Sequence, residues 1–229
     1  KDEDYINSHY VIMATKKGQV KKTSLEQYSR PRSNGINAIT IKDGDVLLEA
    51  KLTTGQSQVV LAVKSGKAIR FEENKTRPMG RNASGVRGIR LANDADEVIG
   101  MVSVNDMDSD ILVVSENGYG KRSKLEDYRM TNRGGKGVKT ISITEKTGSL
   151  VSIKNVSDSD DLMIINRSGI AIRMEVESLR VMGRATQGVR LINLRDDDAI
   201  AAVAKVLKDD EDIEDVDDIE VDMSSINES

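Results

Sequence analysis

The chain has 229 residues, 38% hydrophobic and 31% charged, with a formal net charge of −4, no cysteine, no tryptophan and a single histidine, His9. These numbers exclude a disulfide framework, a thiolate metal site, a cysteine nucleophile and any histidine-rich catalytic centre. No run approaches the roughly 18 consecutive apolar residues of a membrane span, and the opening Lys1-Asp2-Glu3-Asp4 lacks the features of a secretory signal, so a soluble, cytoplasmic chain with no catalytic centre of its own is expected.

Four segments of about fifty residues align with one another: Tyr10–Thr54, Gln58–Val104, Asp110–Val156 and Asp161–Val206. Residues 1–9 precede them as a link. Each segment opens on an apolar run (YVIMAT, VVLAV, DILVV, DLMII) followed by a turn glycine, Gly18, Gly66, Gly118 or Gly169. Glycine there supplies positive φ at low cost, so each context predicts a hairpin. A second glycine follows at Gly35, Gly85, Gly137 and Gly188, in the strings RPRSNGINAI, GRNASGVRGI, NRGGKGVKTI and GRATQGVRLI. The alternating apolar residues after it predict a further strand. A closing apolar stretch ends each repeat: VLLEAKL, VIGMVSV, SLVSIKNV and AIAAVAKV. The last is alanine-rich, but its place in the repeat predicts a strand. Four short strands per unit at a fixed period predict an all-β fold, a propeller-like array of four blades, with a set of small β-barrels as the alternative.

Beyond the last repeat, residues 207–229 hold eleven acids and one base, Lys208, a charge of −10. The remaining 206 residues hold 33 bases and 27 acids, a charge of +6. Isolated Ile and Val among the tail acids bury too little surface to offset chain entropy, so a disordered acidic tail is expected. Such a tail either serves solubility or competes with an anionic ligand for the basic body.

The bases of the body recur in phase with the repeat. Four residues after each turn glycine stand Lys22, Arg70, Arg122 and Arg173. Around the second glycine lie Arg30 and Arg32; Arg81 and Arg87; Arg133, Lys136 and Lys139; Arg184 and Arg190. In three repeats a base sits four residues before that glycine and another two after it; the first repeat has Pro31 and Asn37 instead. Equivalent positions in stacked units form a regular series of positive spots, which suits a bent polyanion such as duplex DNA. For the Lys22 series, pairing with an acid of the neighbouring blade is an equally open reading. Aromatic residues are only 3%, so stacking on single strands is disfavoured and binding through backbone charge and bendability is expected. An acidic protein partner is the alternative ligand. Gly120-Lys121 is followed by Arg122, so no phosphate-binding P-loop is present; Asp106, Asp108 and Asp110 lack the glycine of a calcium loop.

The strings NRGGKGVKT, GRNASGVRGIRL, NGYGKR and GRATQGVRLI closely resemble the C-terminal domain of the DNA gyrase A protein, with the corresponding protein of topoisomerase IV as the near relative. The resemblance covers residues 10–206, and the acidic tail fits it. It implies a β-pinwheel, a disc whose blades exchange strands and whose basic rim wraps DNA for the supercoiling reaction of the holoenzyme. That family has six blades, so the four seen here imply a fragment. Its defining glycine-rich box is matched only in degenerate form by Asn132-Arg133-Gly134-Gly135-Lys136-Gly137 in the third repeat. As partners within the holoenzyme, the resemblance further implies duplex DNA, the gyrase B protein and a second copy of the A protein. It places the work at the bacterial nucleoid in the cytoplasm, with no membrane. ATP, magnesium and the catalytic tyrosine belong elsewhere in the enzyme, and no cofactor is expected in this piece.

Overall fold

The computed structural model describes residues 2–195 and 197–207. The acidic tail lies outside the described residues apart from Leu207, which ends the last strand. The expected link at the start is a short helix, α1 (Glu3–Ser8), capped by the Asp2 carboxylate, which accepts the Tyr5 N–H at 3.1 Å.

Each repeat then builds strands in the same order. The first forms β1 (Tyr10–Thr15), β2 (Gln19–Ser24) and β3 (Leu47–Thr53). The second forms β4 (Gln58–Val63), β5 (Lys67–Glu72), β6 (Val86–Arg87) and β7 (Val98–Val104). The third forms β8 (Asp110–Ser115), β9 (Tyr119–Lys124), β10 (Val138–Lys139) and β11 (Leu150–Val156). The fourth forms β12 (Asp160–Asn166), β13 (Ala171–Glu175), β14 (Val189–Arg190) and β15 (Ile200–Leu207). The alanine-rich stretch is therefore a strand, as its place in the repeat predicts. Four separate antiparallel sheets result, which rules out the small-barrel alternative.

The strand after the second glycine is shorter than its alternation suggests, two residues, and it belongs to the sheet of the preceding repeat. The sheet orders are β3-β1-β2-β6, β7-β4-β5-β10, β11-β8-β9-β14 and β15-β12-β13. Thus β6 pairs with β2, β10 with β5 and β14 with β9. Three blades are completed by the next repeat, and the fourth sheet has three strands among the described residues.

The turn glycines act as predicted. Gly18, Gly66, Gly118 and Gly169 have φ of +83°, +80°, +79° and +86°, and each N–H closes a turn onto the carbonyl three residues back. Blade stacking explains the continuous apolar runs. In β4, Val59, Leu61 and Val63 pack with Ile12, Ala14 and Val20 of the first blade. The alternate residues Val60 and Ala62 pack with Ile111, Val113 and Tyr128 of the third. The innermost strand of a middle blade is covered on both faces, so strict apolar/polar alternation disappears. In β8 the other face, Leu112 and Val114, packs with Leu162, Ile164 and Val203 of the fourth blade.

The second glycine is required by close approach. A Cβ on Gly137 would lie 2.5 Å from the Ala68 carbonyl oxygen, and φ there is +70°. Gly188 meets the Gly120 carbonyl oxygen at 2.6 Å in the same way. Gly35 shares the positive φ, +80°, but nothing lies within 4 Å of its Cβ position. Gly137→Ala should therefore lower unfolding free energy by about 3 kcal/mol, from left-handed strain plus overlap with main chain. Gly35→Ala should cost only about 1 kcal/mol, from strain alone. Urea unfolding of the two variants checks the difference, and equal costs would remove the close-approach argument.

Candidate nucleic-acid interface

The strand handover carries a loop across from each repeat to the blade before it, and the bases sort by depth in that junction. Lys22, Arg70 and Arg122 lie on the second strand of their blades; Lys22 and Arg70 reach forward to the 3-10 turns Glu73–Lys75 and Leu125–Asp127 of the next repeat, and Arg122 to the turn closed by the Leu179 N–H on the Val176 carbonyl. Lys22 Nζ donates to the Glu73 carbonyl at 3.3 Å and lies 3.8 Å from the Glu73 carboxylate. Arg70 Nη1 donates to the carbonyls of Leu125 at 2.7 Å and Tyr128 at 3.0 Å, while its Nε donates to Gln58. Arg122 donates through Nε to the Leu179 carbonyl and through Nη1 to the Asp158 carboxylate, with Asp110 at 3.6 Å. Lys22 and Arg122 are 4% and 7% exposed, too deep to meet a ligand in this arrangement. These three are struts between blades, and main-chain carbonyls are their principal partners rather than acids alone. Burial holds Lys22 and Arg70 below their usual pKa values, with Glu73 partly restoring Lys22. Arg173, the fourth of the series, is more exposed and donates to Asp161 on the adjacent strand at 2.6 Å.

The backbone repeats the same junction. The strut residues form isolated parallel bridges, Lys22 with Pro78, Arg70 with Met130 and Arg122 with Val181. One residue later in the next repeat, Met79, Thr131 and Met182 donate N–H to the strut carbonyls at 2.7, 3.0 and 2.8 Å. The residue immediately before each bridge is an exposed arginine: Arg77, Arg129 and Arg180. They stand eight residues before the second glycine in the same three repeats. Reading only the residues nearest that glycine misses them, although their spacing matches the repeat.

The bases four residues before the glycine are half-buried and link loop to loop. Arg81 Nη1 donates to the Asn37 carbonyl at 3.1 Å, Arg133 Nη1 to the Arg87 carbonyl at 3.1 Å and Arg184 Nη1 to the Lys139 carbonyl. In each case the acceptor is the residue two after the second glycine of the preceding repeat. Arg133 Nε and Arg184 Nε also donate to the carbonyls of Lys75 and Asp127. Arg87 and Lys139 themselves point outward as exposed residues, and so does Arg190. Arg190 is held by the Tyr119 hydroxyl, which accepts from Nη2 at 2.9 Å, with the guanidinium 5.3 Å from the ring centroid. Its hydrogen bond and charge lower the Tyr119 pKa. Lys136, Arg30 and Arg32 are exposed, the last two on the first repeat, whose second-glycine loop forms no strand. The outcome is a line of exposed bases on three successive junctions: Arg77 and Arg87, Arg129 and Lys139, Arg180 and Arg190.

Among the described residues, no three or more His, Asp or Glu side chains are placed to hold a metal ion. Gly120 and Lys121 are buried within β9 and open no helix. Among the described residues no helix is long and apolar enough to cross a membrane.

Blades that pass a strand to their predecessor and present bases at a constant phase on each junction define a strand-exchanging β-propeller with a basic rim. Residues 9–54, 58–105, 109–157 and 160–207 match the family model described as the DNA gyrase C-terminal domain, beta-propeller. The chain belongs to that family. It is similar to the DNA gyrase A protein of Staphylococcus aureus strain MRSA252, 45% identical over 199 residues, covering 86% of this chain and 22% of that protein. The chain thus spans under a quarter of the length of this relative. The solved structure of a DNA gyrase A C-terminal domain superposes with a TM-score of 0.78 at 25% identity, covering 90% of this chain and 68% of that one. The C-terminal domain of DNA topoisomerase IV superposes with a TM-score of 0.82 at 24% identity, over 87% of this chain and 62% of that one, a likeness of fold alone.

The depth sorting has a measurable consequence. Arg70→Met leaves the Leu125 and Tyr128 carbonyls without their donor and should lower stability by about 1–3 kcal/mol. Alanine at Arg77, Arg129 or Arg180 removes an exposed side chain and should stay within about 0.5 kcal/mol. Thermal unfolding of the four variants distinguishes strut from surface, and a stability loss at all four would erase the distinction.

Proposed function

We propose that this chain binds duplex DNA along its basic rim and bends it there, as the DNA-wrapping part of a gyrase A protein. The observation that carries the reading is the phase-locking of exposed bases, Arg77 with Arg87, Arg129 with Lys139 and Arg180 with Arg190, on three consecutive strand junctions. A duplex presents one negative charge per roughly 1.7 Å of axis, and each neutralised phosphate releases counterions. A blade array offers its bases at regular intervals around an arc, so a straight duplex meets few of them and a bent one meets the series. The cost of bending is repaid by the added contacts. Scarce aromatic residues and the absence of a base-reading helix among the described residues favour this phosphate-led mode. In the holoenzyme such a bend presents a duplex segment of fixed handedness for strand passage. Strand cleavage and ATP hydrolysis belong to other parts of that enzyme, which works on the nucleoid in the cytoplasm together with the gyrase B protein.

The test is the salt dependence of duplex binding. For the intact chain, log K should fall linearly with log salt concentration. Replacing Arg77, Arg129 and Arg180 together by alanine should reduce the slope by about 2–3, at about 0.9 per phosphate lost. An unchanged slope removes these residues from the contact set. Failure of the intact chain to bind duplex at low salt would instead favour an acidic protein partner.

The acidic segment 207–229 carries a net charge of −10, against +6 for the rest of the chain, and is expected to compete for the same rim. Deleting it should tighten duplex binding at low salt and have little effect above about 0.3 M, where screening shortens the reach of charge. Equal affinity with and without the segment at low salt assigns it to solubility alone.

A further inference from the structure

Two lysines beneath the rim are used by none of the contacts above. Lys21 and Lys121 occupy the third position after the turn glycines Gly18 and Gly118, immediately before the struts Lys22 and Arg122. They are 0% and 1% exposed. Successive strand residues face opposite sides of a sheet, so each doublet grips the next repeat from two sides. Lys121 Nζ donates to the Gly183 carbonyl at 2.6 Å, to the Arg184 carbonyl and to Thr186 Oγ1 at 3.1 Å. All three donors of the ammonium are thereby used. Lys21 Nζ donates to the Ala38 carbonyl at 2.6 Å and to the Arg81 carbonyl. The second blade has Ile69 at this position, and there the loop differs: Gly134 turns its N–H inward to the Gly88 carbonyl.

The peptide unit is planar and trans, so its C=O and N–H point in opposite directions. With the Gly183 and Arg184 carbonyls drawn inward to Lys121, the N–H groups of Arg184 and Ala185 are turned outward. These two residues are the centre of a turn closed by the Thr186 N–H on the Gly183 carbonyl at 3.2 Å. Neither N–H has a hydrogen-bond acceptor among the described residues. In the second repeat the equivalent turn is closed by the Ala83 N–H on the Gly80 carbonyl; there the Arg81 N–H donates to Gln27 Oε1 at 3.1 Å and only the Asn82 N–H is free in the same sense. Arg81 and Asn82 line one open cleft with Arg32. Consecutive outward N–H groups form an anion-binding concavity, and a buried positive charge behind it strengthens the attraction.

We propose that the turn Gly183–Thr186 is a backbone phosphate socket for duplex DNA, with Lys121 as its positioning residue, and that Lys21 holds a lesser copy at Gly80–Ala83. The inference rests on the DNA reading above and adds main-chain donors to the exposed side chains. Lys121 touches no phosphate itself; it orients the donors and supplies charge from beneath. Its side chain is faced by the Arg184 guanidinium, which disfavours its proton, and by the Asp127 carboxylate, which favours it. Burial is the larger influence, and the pKa is lowered to about 8. The nearby Tyr128 hydroxyl is pushed up to about 12 by burial and stays neutral through the pH range of the test. An anion bound in the socket holds the Lys121 proton more firmly, so binding weakens as pH rises through about 8.

The experiment compares duplex binding by the intact chain, Lys121→Met and a core control, Val60→Ala, which loses packing between the second and third blades. Each is measured across about 0.05–0.2 M salt at a temperature where all are folded. Lys121→Met should lose about one unit of salt slope and about tenfold in affinity, although the residue is buried, while Val60→Ala keeps the slope. Should Lys121→Met fail to fold, the intact chain with its N-terminal amine blocked supplies the second measurement. Its affinity at fixed salt should fall by about two- to fivefold between about pH 7 and about pH 9. Unchanged slope and affinity in a folded Lys121→Met, or a flat pH profile in the intact chain, overturns the socket while leaving the DNA reading in place. An intact chain that binds no duplex at low salt overturns both.

Discussion

The architecture depends on one contact, the second glycine of the second, third and fourth repeats lying against a main-chain carbonyl of the repeat before it. At Gly85, Gly137 and Gly188 the space for a Cβ is filled by the carbonyls of Val20, Ala68 and Gly120. That approach lets β6, β10 and β14 complete the sheets of their predecessors. A blade therefore cannot finish its own sheet, and stability is shared between neighbours through handed-over strands and the apolar layers between blades. The same handover covers an edge that would otherwise be open to association. Because it fixes backbone on both sides of the glycine, every residue at a constant offset is delivered to a constant place.

Charge is distributed through the junction by depth. Lys21 and Lys121 sit beneath the loops, and Lys22, Arg70 and Arg122 brace the turns of the next repeat. Arg81, Arg133 and Arg184 tie each rim loop to the preceding one. These inner cations bond chiefly to carbonyls, which satisfies turn acceptors that no strand can reach; Lys22 is in addition paired with Glu73, and Arg122 with Asp110 and Asp158. Residues 1–206 and the acidic segment 207–229 carry opposite net charges, +6 and −10, and the chain's small net charge describes neither.

Much of this was legible in one dimension. The four repeats, the hairpin glycines and the β character of the alanine-rich end follow from periodicity, because equivalent units must bury equivalent faces. The length of the second-glycine strand was not legible. Alternation in GVRGI and GVKTI continues past the two paired residues, but pairing stops where the preceding strand ends. The arginines at 77, 129 and 180 were available from spacing and lie further from the glycine than the motif draws the eye. The doublets Lys21-Lys22 and Lys121-Arg122 look like simple basic pairs, and nothing local says that both members are buried.

The sequence by itself determined the repeat, the all-β character, the phase of the bases and the excess of acid over base in the last segment. Each of these is a property of composition or of period. Tertiary structure alone decided which repeat completes which sheet and which bases remain outside. Both depend on where one blade's carbonyls lie relative to the next blade's loop. A lysine's role here is set by the acceptors within its reach, and those acceptors are about sixty residues away along the chain.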